Sequence, residues 1–182
     1  IAIAAVFIIG QNDYKRLLAY SSIEHMGILA LGVGLGGVGI FGTLLHAVNH
    51  SFTKGMLFLV AGNILAAYRT KSVARVQGVT RVLPVSGVLW IMGFLAITGT
   101  PPFGPFLSEF TILKAAIDQG RPAVAAAYLI FLSVIFMGMA ATFLRTARGV
   151  PRPDLAVIPR AESSLTVLPP LALGVLVFLL GV

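Results

Sequence analysis

The sequence contains no cysteine. Thiolate-held iron–sulfur clusters, cysteine-built zinc sites and disulfides are therefore excluded from it, and any redox chemistry in an assembly it serves must reside on a partner. Charge is scarce as well: 10% of the 182 residues are Asp, Glu, Lys or Arg, against roughly a quarter in a soluble domain. With 58% hydrophobic residues and a mean hydropathy of +0.98, the composition is that of an integral membrane protein. Also missing are a glycine-rich phosphate loop after a strand and a nucleophile elbow. The stretch "GVGLGG" at 32–37 ends an apolar helix with no strand before it, so it is no dinucleotide loop. The net charge of +7 does not point to nucleic acid, because the basic residues fall between apolar runs rather than on an aromatic-interleaved face. No basic n-region or small-residue cleavage site opens the chain, so the first apolar run reads as part of a longer protein rather than as a signal peptide.

Six apolar stretches are present, at 1–10, 17–36, 38–68, 84–118, 123–144 and 164–182. A crossing takes about 20 residues, which leaves the first short and the fourth long. The fourth contains "TGTPPFGPF" at 98–106, where prolines remove helix donors and glycines add freedom. It is either one broken crossing or a hairpin of two, and the basic residues decide. Lys15 and Arg16, then Arg69, Lys71, Arg75 and Arg81, then Arg145, Arg148, Arg152 and Arg160 all fall on one side if 84–118 crosses once; only Arg121 falls on the other. A hairpin would move the last four across and spoil the asymmetry. The expected fold is all-α, a polytopic transmembrane bundle with one discontinuous helix.

Setting aside the charges of the loops leaves a short list inside these spans. His46, His50 and Lys54 recur every fourth residue in "LLHAVNHSFTKGMLFLVAG" at 44–62, so they share one helical face over about 12 Å. Glu24 and His25 lie in "YSSIEHMG" of the second span, and Glu109 and Lys114 follow the break. A charge at the bilayer centre costs on the order of 2.5–3.5 kcal/mol on insertion scales, so the groups need one another and water. Aligned titratable groups beside a broken helix have the composition of a proton relay. The members expected are His46, His50, Lys54 and Glu109, with Lys15, Glu24, His25 and Lys114 as extensions. Glu24 and His25 serve equally as braces between helices, and Lys114 is placed to snorkel toward the 119–122 turn. His-x-x-x-His also has zinc spacing, but its helix adds no aligned carboxylate and its third member is lysine. No metal, cofactor or catalytic site is expected. The glycines at 27, 32, 34, 36 and 37 let the second helix pack closely inside the bundle.

Three blocks, "DYKRLLAYSSIEHMG", "HAVNHSFTKGMLFLVAG" and "GTPPFGPFLSEFTIL", occur in this order over about residues 11–118. Together they resemble the antiporter-like, proton-translocating membrane subunits of respiratory complex I, membrane-bound hydrogenases and multisubunit cation/proton antiporters. "SSIEHMG" is most similar to the membrane subunit of hydrogenase-4 and formate hydrogenlyase complexes. The resemblance implies that His46, His50 and Lys54 are central-axis groups, that Glu109 stands where relatives carry lysine or glutamate in the second broken helix, and that Lys15 matches the family's lysine in "KR-L-AYS". It implies a second antiporter-like repeat over 1–122, truncated at its start, followed by C-terminal helices over 123–182 with a basic cytoplasmic loop at 145–163. The first repeat, with its lysine and ion-pair glutamate, lies outside this sequence. The implied function is proton translocation, as a non-redox subunit of an NADH-quinone oxidoreductase-like or hydrogenase complex. Its partners would be other membrane subunits, a peripheral redox module and the bilayer, in a multi-pass position in a bacterial or archaeal inner membrane. The alternatives are a Na+/H+ antiporter subunit and a non-conducting scaffold for a redox enzyme.

Overall fold

The computed structural model describes residues 1–150 and 162–182. These form α1 (Ala2–Ile8), α2 (Tyr14–Leu35), α3 (Val38–Tyr68), α4 (Val79–Val82), α5 (Pro84–Ile97), α6 (Gly104–Asp118), α7 (Pro122–Ala147) and α8 (Ser164–Leu179). No strand occurs among the described residues; the one β-like pairing is an isolated bridge between Asp13 and Ser72. α2, α3 and α7 are each long and apolar enough to cross a membrane, and α5 and α8 are shorter apolar helices. The boundaries have local causes. Asp13 caps α2 by accepting from the backbone N–H groups of Lys15 and Arg16, which would otherwise lack partners. Pro84 and Pro122 open α5 and α7, where the missing N–H costs nothing. The start of α5 is closed from a distance, since the Glu162 carboxylate accepts from Val85 N–H at 2.8 Å and Ser86 N–H at 2.9 Å.

α3 is the axis of the bundle, 31 residues long and so about 46 Å. α2 runs antiparallel to it: Tyr14 reaches Ala61, Lys54 reaches Leu18, His46 meets His25, and Thr43 reaches Leu29. Of the glycines expected to pack closely, Gly32 meets Gly39 and Thr43 and Gly27 meets Ile1, whereas Gly34, Gly36 and Gly37 have open space where a Cβ would stand. A Cβ on Gly32 would lie 2.9 Å from the Gly39 carbonyl oxygen.

The stretch 84–118 is one broken crossing. Along it, Ser86 bonds Asn63, Gly93 abuts Leu57, Gly104 bonds Asn49, Ser108 bonds His46, and Ile112 packs on Gly42. The partner number on α3 falls steadily from 63 to 42, so α5 and α6 descend the same helix in one direction. A hairpin would have turned that series back on itself. α8 follows the same groove, with Thr166 bonded to Asn63 and Gly174 against Met56. Gly181, just past its end, abuts the 102–104 segment of the break.

The basic loops meet at one end. Tyr14 N–H bonds the Lys71 carbonyl, Val73 N–H that of Asn12, and Gly78 N–H that of Arg148. Lys15, Arg16, Arg69, Lys71, Arg75, Arg81, Arg145 and Arg148 gather there, while Arg121 belongs to the opposite end, where Gln119 bonds the Leu35 carbonyl. Arg152 and Arg160, the other two basic residues of the 145–163 segment, lie outside the described residues. The 69–83 connection carries one short helix, α4, inside what reads from sequence as a loop.

Candidate functional site

Where α2, α3 and α6 converge, polar side chains replace the aliphatic core. Glu24, His25, His46, His50, Lys54 and Glu109 are all buried, none more than 8% exposed. Each reaches the cluster for a local reason. Helical periodicity puts His46, His50 and Lys54 on one stripe of α3. On α2 the residues facing that stripe are Leu18, Ser21 and His25, three to four positions apart. Glu109 comes from the first turns of α6, just after the break.

The hydrogen bonds are specific. Lys54 Nζ donates to the Leu18 carbonyl at 2.6 Å and to Ser21 Oγ, and its ammonium also stands 6.0 Å from the centre of the Phe58 ring. His25 Nδ1 and His46 Nε2 are joined at 2.8 Å, and His46 Nδ1 is joined to Ser108 Oγ at 2.8 Å. Ser108 Oγ also donates to the Pro105 carbonyl at 2.9 Å. This sets the tautomers of the neutral rings. With its own proton on Pro105, Ser108 accepts from His46 Nδ1–H. His46 Nε2 is then an acceptor and takes the proton of His25 Nδ1. His25 Nε2 is left facing Glu24 Oε2 at 3.4 Å.

His25 is the hub. Its ring centre lies 5.0 Å from that of His46 and 4.6 Å from that of His50, whereas His46 and His50 are 6.2 Å apart. Sequence spacing makes His46 and His50 successive neighbours on one helix; the structure inserts a residue of another helix between them. Asn49, beside the stripe, donates to the Gly104 carbonyl at 2.8 Å and so ties α3 to the break. Glu109 lies against Gly99, the residue that ends the α5 side of the break with φ of 62°; a Cβ there would fall 2.1 Å from Glu109 Oε2. Among the described residues, five buried polar atoms have no partner: His25 Nε2, Asn49 Oδ1, His50 Nδ1, Glu109 Oε1 and Tyr128 OH. Four of them belong to this cluster.

Of the residues singled out from sequence, the structure brings together His46, His50, Lys54, Glu109, Glu24 and His25. It leaves two aside. Lys15 is part-exposed in the first turn of α2, about 14 Å along the helix from Glu24. Lys114 is 59% exposed and paired with Asp118 on the surface. Sequence reasoning did not single out Ser108, nor the contacts of Ser21 with Lys54 and of Gly99 with Glu109. Ser108 stands next to Glu109 in sequence, yet nothing in that neighbourhood announces that its partner is 62 residues away.

Comparison with known proteins places the fold. A family profile described as NADH:quinone oxidoreductase/Mrp antiporter, transmembrane, matches residues 1–136. The hydrogenase-4 component F homolog of Methylacidiphilum infernorum is 38% identical over 156 residues, which is 85% of this chain and 33% of that protein. A chain in the respiratory complex I structure from Thermus thermophilus with bound NADH superposes with a TM-score of 0.86 at 28% identity, covering 98% of this chain and 37% of that one. A chain of the Mrp complex from Dietzia sp. DQ12-45-1b shares the fold at TM-score 0.90 and 21% identity, over 98% of this chain and 41% of that one. The chain thus spans a third or less of the curated relatives it matches, 33% of one and 21% of another.

Proposed function

We propose that this chain, which belongs to the NADH:quinone oxidoreductase/Mrp antiporter transmembrane family, carries part of the proton path of a redox-driven membrane complex. It is an antiporter-like membrane subunit by family and fold. The finer reading, proton translocation through a Lys54–His50–His25–His46–Glu109 relay, rests on one observation. Titratable side chains from three helices form a nearly continuous buried array beside the break, with lone pairs and protons left unused.

The array supports proton movement because its hydrogen bonds can run either way. In one setting Ser108 donates to the Pro105 carbonyl, and both imidazoles carry their protons on Nδ1, that of His25 pointing to His46 on α3 and that of His46 to Ser108 on α6. A proton delivered to His25 Nε2 from Glu24 lets the His25 Nδ1 proton pass to His46 Nε2. The His46 Nδ1 proton then passes to Ser108 Oγ, whose own proton turns away from the Pro105 carbonyl and leaves toward the break. Each ring gains one proton and loses one, and the tautomers are left reversed. Lys54 and His50 would load this segment by way of Glu24, and Glu109 would receive its output near Gly99. Unpartnered buried polar atoms call for partners that water can supply, and irregular backbone at membrane depth is tolerated where it lines such a path. Moving one proton against 100 mV takes about 2.3 kcal/mol, which the partner redox module would provide.

On this reading residues 1–122 are most of the second antiporter-like repeat and 123–182 the helices that follow. The basic end faces the cytoplasm of a bacterial or archaeal inner membrane. The direct imidazole–imidazole bond favours protons over Na+, which is held by oxygen ligands. The test is Lys54→Met and Glu109→Gln in the full-length subunit, with the assembled complex reconstituted in vesicles. Proton uptake per electron transferred is expected to fall more than tenfold in each. Normal coupled uptake in both variants would leave the chain a scaffold, and transport that requires Na+ would move it to the exchanger reading.

A further inference from the structure

The two facing imidazoles and Glu109 have the chemistry of a metal site. Each of His25, His46 and Glu109 offers one ligand atom, and the three atoms lie within 4.8 Å of one another. We propose that these residues form an intramembrane site for a single zinc-class divalent cation, seated where the imidazoles share a proton, so that occupancy blocks proton passage. Binding stands on the ligand geometry alone; the blocking effect rests on the relay reading above.

Three observations point to an ion. The first is the ligand set, two nitrogens and one carboxylate oxygen, which is a three-residue zinc donor set that leaves a fourth corner open. The facing nitrogens are 2.8 Å apart. Two nitrogens at about 2.0–2.1 Å from a tetrahedral ion stand about 3.3 Å apart, so seating it takes a small spreading of two side chains. The second is the support behind each ring. Ligating histidines donate their far N–H to an oxygen that fixes the tautomer. His46 has Ser108 Oγ at 2.8 Å on Nδ1, and His25 has Glu24 Oε2 at 3.4 Å on Nε2. With the shared proton displaced by a cation, His25 carries its proton on Nε2 and points it at Glu24, which gives that orphaned nitrogen its partner. The third is the unpartnered Glu109 Oε1, an acceptor in a residue only 6% exposed. The carboxylates of Glu109 and Glu24 also set negative charge against the ion in a setting where an unpaired ion is costly.

The spacing argument against metal holds for α3 alone, because His46 and His50 lie 6.2 Å apart by ring centres and lack an aligned acid. The site needs α2 and α6 to complete it.

The experiment uses the assembled complex with the full-length subunit, chelator-stripped and then equilibrated with Zn2+. Wild type is expected to hold one more tightly bound zinc per complex than Glu109→Gln or His25→Asn, measured by equilibrium dialysis. The difference spectrum at the zinc absorption edge should show two nitrogens and a carboxylate oxygen. Ser108→Ala, which removes one buried oxygen and keeps the ligands, should weaken binding 10–100-fold; it serves as the readout if the ligand variants fail to assemble. Equal zinc affinity in wild type and Ser108→Ala, or an all-oxygen sphere, overturns the site. Zinc bound as described while proton transport continues at full rate supports the site and sinks the relay. Absent zinc with transport still dependent on Lys54 sinks the site and spares the relay.

Discussion

α5 and α6 lie end to end on the same helix, α3, yet they bury opposite kinds of side chain. On the α5 side Trp90 stacks on Phe143 at 4.2 Å and meets Tyr14 edge-on at 5.8 Å. Gly93 there admits Leu57, and the one polar group of the indole is satisfied by Thr146 at 2.9 Å. On the α6 side Ser108 bonds His46, the Gly104 carbonyl accepts from Asn49, and Glu109 lies buried against Gly99. Among the described residues, no unpartnered buried polar atom belongs to α5, whereas those of the cluster surround the break and α6. In lipid, apolar surface gives helices no reason to associate, so packing and interhelical hydrogen bonds must do so. The α5 half is held by close packing and completed bonds. The α6 half leaves bonds open, which costs stability, and it is the half that the proposed relay would use. The break thus divides a dry half that holds the bundle together from a polar half that uses the strength so provided.

That division can be broken by mutation, and the largest effect is expected in the dry half. Trp90→Ala should lower the stability of the purified subunit by about 3 kcal/mol, the scale of a large cavity in a packed core, as read from denaturant-induced loss of helix. Turnover per assembled complex should remain near wild type; a proportional loss would mean that the dry half belongs to the conducting path. His25→Leu should do the reverse. Proton transport per complex falls at least tenfold while the melting temperature moves far less than for Trp90→Ala. Transport within twofold of wild type would make the polar half mere packing.

Two glycines sharpen the contrast. A Cβ on Gly87 meets Thr80 Cα at 2.6 Å, so Gly87→Ala is an overpacking change of about 1–3 kcal/mol visible in thermal stability. At Gly99 the positive φ and the nearby Glu109 carboxylate make alanine displace Glu109, so Gly99→Ala should reduce transport by more than its stability loss accounts for. If the two variants show the same ratio of stability to transport loss, the halves are not distinct. The smallest effect belongs to Thr146→Val, which removes one interhelical bond from Trp90 and should cost about 0.6 kcal/mol, the average for such bonds in a bilayer.

Much of this was legible along the chain. The crossings, the break at 98–106 and the basic side follow from residue type and short-range order, because a helix in lipid satisfies its own backbone and needs only about 20 apolar residues. The stripe of His46, His50 and Lys54 was legible for the same reason, since helical periodicity is a local property. Lys114 follows the same rule: it shares a helix with Glu109, but five positions turn it off that face, to the surface and onto Asp118. The role of Ser108 and the contact of Gly99 with Glu109 were silent, because each depends on a partner on another element.

By itself the sequence determined which helices exist, where one is interrupted, and which side chains α3 carries on one face. Only the tertiary structure decided that His25 lies between His46 and His50, that Ser108 orients the His46 ring, and that a carboxylate from beyond the break joins two imidazoles from separate helices. The reason is physical: periodicity sets the direction of a side chain about its own axis. Which axis lies opposite is set by how closely backbones approach at contacts such as Gly32 on Gly39, far apart from the polar groups they align.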